Sequence, residues 1–245
     1  MAARGLAGLM LRIAGAMAAT GLLASGAHAL DLDPTVPRLV SFGGSCASCQ
    51  LSGRKLVGAR FLGADFAGAV LVGADLRQAS FRGSNFAGAD FTRADLRGAS
   101  MMGGDFMLAN FSDANLTGLK AAGANFLNAT LAGAKLDQGE LPGSNLSRVD
   151  ARGASFDAAQ LIAADLSAGK YERASFKNAR LLRANLTGAA FGGADFAGAD
   201  LARASLKDAD LSSARGLTQG QVNRACSDHS TKLPTGISGR TCRGR

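Results

Sequence analysis

The sequence predicts a solenoid, a chain that turns a corner every five residues and winds around one apolar bore. Stepping by five from Leu51 to Leu211 meets 33 positions: 17 Leu, 12 Phe, one Met, one Tyr, and two Ala, Ala121 and Ala151. Two residues before each of these centres the side chain is Ala in 24 of 33 units, and Gly, Ser or Cys49 in six more. The exceptions are Arg54, Leu119 and Val149. The second residue after the centre is Gly in 17 of 33 units, and no insertion breaks the register.

Each observation excludes an alternative. A helix advancing about 100° per residue would rotate the centre by about 140° per unit, which smears the apolar residues around the cylinder. A straight strand would send successive centres to opposite faces, because five is odd and strand side chains alternate. A chain that bends in every unit keeps each large residue, and the small one before it, on the inside. Leu141-Pro142-Gly143 agrees: Pro and Gly occupy the two central positions of a type II turn, in the slots where other units end in Gly. A period of this kind has to be found before any local assignment, since missing it miscalls the whole chain.

The runs ADFAGA, ADLRQA, ADLRGA and ANLTGL resemble the A(D/N)LXX units of the pentapeptide-repeat family, over residues 49–214. That resemblance implies an all-β, right-handed, four-sided parallel β-helix with four units per coil. Eight coils at a strand spacing of about 4.8 Å give a length of roughly 40 Å. The repeated Leu and Phe then specify the bore, and the Ala leaves them room.

The elements outside the repeat follow in chain order. Residues 1–29 carry Arg4 and Arg12 before the apolar run IAGAMAATGLLA and end in SGAHA, the layout of a signal peptide with an A-x-A site. The run is too short for the roughly 20 residues of a membrane span. Export to a bacterial periplasm or beyond is therefore expected. Residues 30–48 form a lead-in and cap, and 49–214 the β-helix. Residues 215–245 form a capping helix and tail, where Thr218 and Gln221 make a T-x-x-Q capping box with Leu217 and Val222 as its staple. The expected helix runs from about 218 to 226 and presents Leu217, Val222 and Ala225 to the last coil. Such a cap is needed because an open solenoid end exposes unpaired backbone.

The four cysteines, Cys46, Cys49, Cys226 and Cys242, are an even number in a chain expected to be exported, and they read as structural disulfides. Sequence allows three pairings. Cys226 with Cys242 is favoured because it closes a tail with little core. Cys46 and Cys49 fall in the repeat register, as a centre and a small position, and SCASC resembles the lead-in of some exported family members. A thiol redox factor is the competing reading, but no βαβ context or helix N-terminus stands beside this CxxC.

Charge and composition narrow the function. Net charge is +8, yet residues 51–214 hold 18 basic against 16 acidic residues, so the repeat is close to neutral. Family members that shield DNA gyrase are acidic DNA mimics of the cytoplasm, which makes a topoisomerase decoy the weaker alternative. The basic tail has no interleaved aromatics, so no nucleic-acid partner is expected. His229, the one histidine after residue 29, sits in SDHS, where sequence neighbours cannot converge as a triad. The carboxylates stack as a column, Asp65, Asn85, Asp105, Asn125, Asn145, Asp165 and Asn185, expected to bond turn backbone in preference to cations. No catalysis, cofactor or metal is expected. One outward feature stands apart: Leu62, Met102, Ile162 and Leu182 in one column, with Met107 and Leu127 beside it, form an apolar contact face for a protein partner or a second copy. The reading is a non-catalytic, exported, rigid scaffold.

Overall fold

The computed structural model describes residues 41–42 and 44–241. The expected signal segment, most of the lead-in and Cys242 lie outside the described residues. Two short parallel strands, β1 (Ser41–Phe42) and β2 (Arg60–Phe61), begin the stack. From there each residue before a centre is bridged to its counterpart 20 positions on, from Ser45 with Asp65 to Asp195 with Arg215. Twenty residues are four pentapeptides, so each coil has four sides.

One side shows how the ladder is made. Phe66 N–H donates to Asn85 O at 2.7 Å, and Asn85 N–H returns to Ala64 O at 2.9 Å. The corner closes when Ala69 N–H donates to Phe66 O at 3.0 Å. Small residue, polar residue and centre thus form the straight side, and the two residues after the centre form the corner. The second corner residue has a positive φ in every unit from Gly53 to Asp208, between 53° and 71°. Glycine adopts that conformation without cost, which explains its frequency there. The remaining corners hold polar or small residues such as Arg93, Asn128 and Ala163, and in one case Leu108.

The centres and the small residues fill one continuous bore, nearly all of them with no exposed area. Phe rings stack coil on coil: Phe61 over Phe81 at 5.0 Å, Phe91 over Phe111 at 4.7 Å and Phe156 over Phe176 at 4.9 Å. Rings on adjacent sides meet edge to face, as do Phe61 and Phe66 at 5.0 Å, a favoured arrangement for aromatic quadrupoles.

The exceptions in the sequence turn out to be paired. Leu119 stands in the small slot of the unit whose centre is Ala121, and Val149 in that of Ala151, all four buried. One coil later the small slots are Gly139 and Gly169. A Cβ on Gly169 would lie 2.5 Å from the Tyr171 ring, and one on Gly139 would lie 2.8 Å from Leu141 Cδ1. Tyr171 stacks one coil beyond Ala151, and its hydroxyl donates to Leu146 O at 3.0 Å.

The C-terminal cap is α1 (Gln219–Arg224), with Thr218 at its N-cap and the reciprocal capping box formed with Gln221. Val222 and Ala225 are buried and Leu217 packs against the core. The helix stops short of the expected residue 226, because the chain turns extended at Ala225 and Cys226 joins the stack by bridging Ser205. Lys232 bridges Asp210 in the same way, and Thr241 bridges Ser227.

Candidate functional site

A filled bore leaves the solenoid only its outer sides with which to act. The side bearing Asp65 through Asn185 carries a side-chain ladder that runs with the coils. Asn85 Nδ2 donates to Asp65 Oδ1 at 2.9 Å, Asn125 to Asp105 at 2.9 Å, Asn145 to Asn125 at 3.1 Å, and Asn185 to Asp165 at 3.0 Å. Each Oδ1 also accepts the backbone N–H two residues on, as in Met107 to Asp105 at 3.1 Å and Leu127 to Asn125 at 3.1 Å. These are Asx turns, in which a short side chain replaces a backbone acceptor at the corner. They use one oxygen of each carboxylate and one N–H of each bonded amide. The other carboxylate oxygen and the second amide hydrogen remain for a ligand or water.

Two corners border this side, and the apolar residues expected as a contact face stand on them. On one, Leu62 is 48% exposed and Met102 36%, while Ile162 and Leu182 are half-buried. On the other, Met107 and Leu127 are half-buried. Sequence reasoning missed Leu108, which is 60% exposed beside Met107. It occupies a left-handed corner slot, φ 60°, where a glycine would be at ease. An exposed apolar side chain held in a disfavoured backbone region was the overlooked signal.

The next-but-one corner is built differently. Arg77 makes a bidentate pair with Asp75, its Nη2 2.7 Å from Oδ2, and Arg97 repeats this with Asp95 at 2.5 Å. Arg152 and Asp150 do the same elsewhere, at 2.6 Å. The side-chain hydrogen bond from each arginine holds the partner carboxyl below its ordinary range.

The other residues singled out in the sequence fall into place less usefully. Cys46 and Cys49 are joined as a disulfide and pack, half-buried, against the first coil. Cys226 is disulfide-bonded as well, while its expected pairing with Cys242 lies outside the described residues. His229 is exposed in the tail. Among the described residues no group of three or more His, Cys, Asp or Glu is placed to hold a metal ion. The concavities are open grooves, one lined by Arg60, Leu62 and Arg82, another by Arg152, Glu172 and Arg173. No helix among the described residues is long and apolar enough to cross a membrane.

These features define a class: a β-solenoid of five-residue sides that presents flat faces in place of a cleft. The chain belongs to the pentapeptide-repeat family. The family's sequence profile, Pentapeptide repeats, matches in 8 copies over residues 45–83, 69–106, 109–148, 131–167, 159–196 and 179–215. No curated protein matches the chain. Among solved structures it is similar to HetL, a pentapeptide-repeat protein involved in heterocyst differentiation regulation in Nostoc sp. strain PCC 7120. The identity is 29% and the TM-score 0.70, over 72% of this chain and 80% of that one. QnrB1, a plasmid-mediated fluoroquinolone resistance protein, is 20% identical with a TM-score of 0.44, over 78% of this chain and 92% of that one. A pentapeptide-repeat protein of the Arabidopsis thaliana thylakoid lumen is 28% identical with a TM-score of 0.32, over 44% of this chain and 68% of that one.

Proposed function

We propose that this is an exported, non-catalytic scaffold that docks a protein partner on the ladder side and its two apolar corners. The observation that carries the reading is the placement of exposed Leu62, Met102 and Leu108 along a solenoid whose bore is packed solid. Exposed apolar side chains gathered on one side of an otherwise hydrated protein favour a partner there. The rigid coil ladder holds that surface in a fixed geometry, so little ordering entropy opposes docking. Export is supported by the leader-like first 29 residues and by the Cys46–Cys49 disulfide, a bond that persists in oxidising compartments.

Two measurements test it. The intact mass in periplasmic and cytoplasmic fractions, with and without reduction and alkylation, should show a periplasmic species beginning at Leu30 with every thiol oxidised. A full-length cytoplasmic species with four alkylatable thiols would overturn export. The pair Ile162→Lys and Leu182→Lys should abolish association without changing the circular dichroism spectrum; unchanged sedimentation and partner recovery would remove the docking face.

A further inference from the structure

The ladder side is complementary to itself, and we infer that its partner is a second copy of this chain, packed face to face with the two solenoids antiparallel. The inference rests on the docking reading above and adds the occupant.

Consider a two-fold axis lying in the plane of contact, across the coils at the height of Asn125. It sets each ladder residue opposite the residue equally many coils away on the other side of Asn125. Asp65 then faces Asn185, Asn85 faces Asp165, Asp105 faces Asn145, and Asn125 faces itself. Every carboxylate meets an amide. The oxygens and N–H groups that the intrachain ladder leaves over are of the matching kind, an acceptor on each Asp and a donor on each Asn.

The corners agree with the same axis. Leu62 meets Leu182, Met102 meets Pro142, and Leu127 meets its own copy, while Met107 faces Ser147. Arg82 lies against Ile162, and Arg148 against the exposed Leu108, with no like charges opposed. An isologous contact requires this kind of self-complementarity.

The register is restricted: centring on Asn125 sets all seven ladder residues against ladder residues with no carboxylates opposed, whereas centring on Asn145 also opposes none but matches only five. Parallel solenoids would set each Asp on itself. An antiparallel contact centred one coil lower, at Asp105, would oppose that residue to its own copy. Centring it midway between Asp105 and Asn125, or between Asn125 and Asn145, would oppose Asp165 to Asp65 or to Asp105. The adjoining side, where Lys120 could meet Glu140, would bring Arg77 against Lys177. The contact is long and narrow, at the low end of specific interfaces, so the dimer should depend on concentration.

Cysteine cross-linking under mild oxidation reads the geometry directly in the purified chain. Asn125→Cys should form a covalent dimer by itself. Asn85→Cys alone should not, but mixed with Asp165→Cys it should. A charge test reads the same register: Asn145→Asp opposes two carboxylates and should shift sedimentation toward monomer, and adding Asp105→Asn should restore the dimer. Circular dichroism and the melting temperature control for folding. The inference is overturned if Asn125→Cys cross-links no better than Asn85→Cys, or if the wild-type chain sediments as a monomer at its highest soluble concentration. If that monomer still loses a host protein on Ile162→Lys with Leu182→Lys, the docking reading stands and only the second copy is wrong.

Discussion

The bore conserves volume over short distances, and two residues expose the rule. Leu119 takes up in the small slot what Ala121 gives back at the centre, and both are fully buried. Leu119→Ala alone should therefore cost about 2–5 kcal/mol, the usual loss when a buried leucine leaves a cavity. Adding Ala121→Leu restores the common pattern of the repeat and should recover most of it, a coupling that urea unfolding of the two single variants and the double variant would measure. Tyr171 gives a second test, because it is the chain's one tyrosine and there is no tryptophan. Burial raises its pKa well above the ordinary value of 10.0. Its neutral hydroxyl is needed in the fold and can ionise only on unfolding, so stability holds below that ordinary value and falls as pH rises past it. Absorbance at the tyrosinate band should stay flat until circular dichroism reports unfolding; an earlier, separate titration would mean that the ring reaches water. Leu108 is the converse case. Leu108→Gly should stabilise the fold by up to about 1 kcal/mol, since the left-handed conformation costs a non-glycine residue roughly that much.

At the scale of an element, the cap and the corner pairs make separate claims. Thr218→Ala should cost about 1 kcal/mol through the lost N-cap. Gln221→Ala should cost more. Its Nε2 donates to Phe196 O at 2.8 Å and to Ala199 O at 2.9 Å, and the substitution leaves both carbonyls on the last coil without that donor. Thermal melts of the two variants would rank them. The capping box was legible in T-x-x-Q because it is local, whereas the reach of Gln221 spans 25 residues and depends on where the last coil ends. The arginine pairs set an acid limit. Asp75, Asp95 and Asp150 have lowered pKa values, so their stabilisation is present above the ordinary carboxylate value of 3.8 and is lost as pH falls below it. The arginines stand in solvent, so each pair is strongly screened and contributes little. Asp95→Asn should flatten part of the decline in urea midpoint between mildly and strongly acidic pH, and leave the neutral side little changed.

At the scale of the whole molecule, a period of five was enough to give the turning chain and its core, because every unit repeats one local decision, while the four sides came from the resemblance to the pentapeptide-repeat family. The face was only half legible. The ladder column follows from counting by 20, and Leu108 could be read from its corner slot, but which ladder oxygens and amide hydrogens are left over depends on side-chain bonds to the next coil. The same nearest-neighbour construction decides how the molecule comes apart. In a solenoid each coil is stabilised by those on either side, so opening starts at the end with the weaker interface. At the C-terminal end, α1 buries Gln221 and Val222, and Cys226 and Lys232 continue the ladder. In the first described coil the centres Cys46 and Leu51 are only half-buried and a half-buried Arg54 takes a small slot, while from Phe61 onward the centres are sealed. Amide exchange should therefore be fastest over residues 44–58, slowest in the middle coils and intermediate at the tail. Reducing the Cys46–Cys49 disulfide should speed exchange in the first coil and leave the middle unchanged. Uniform exchange, or a tail that opens before the first coil, would show that the stack unfolds as one unit or from the other end.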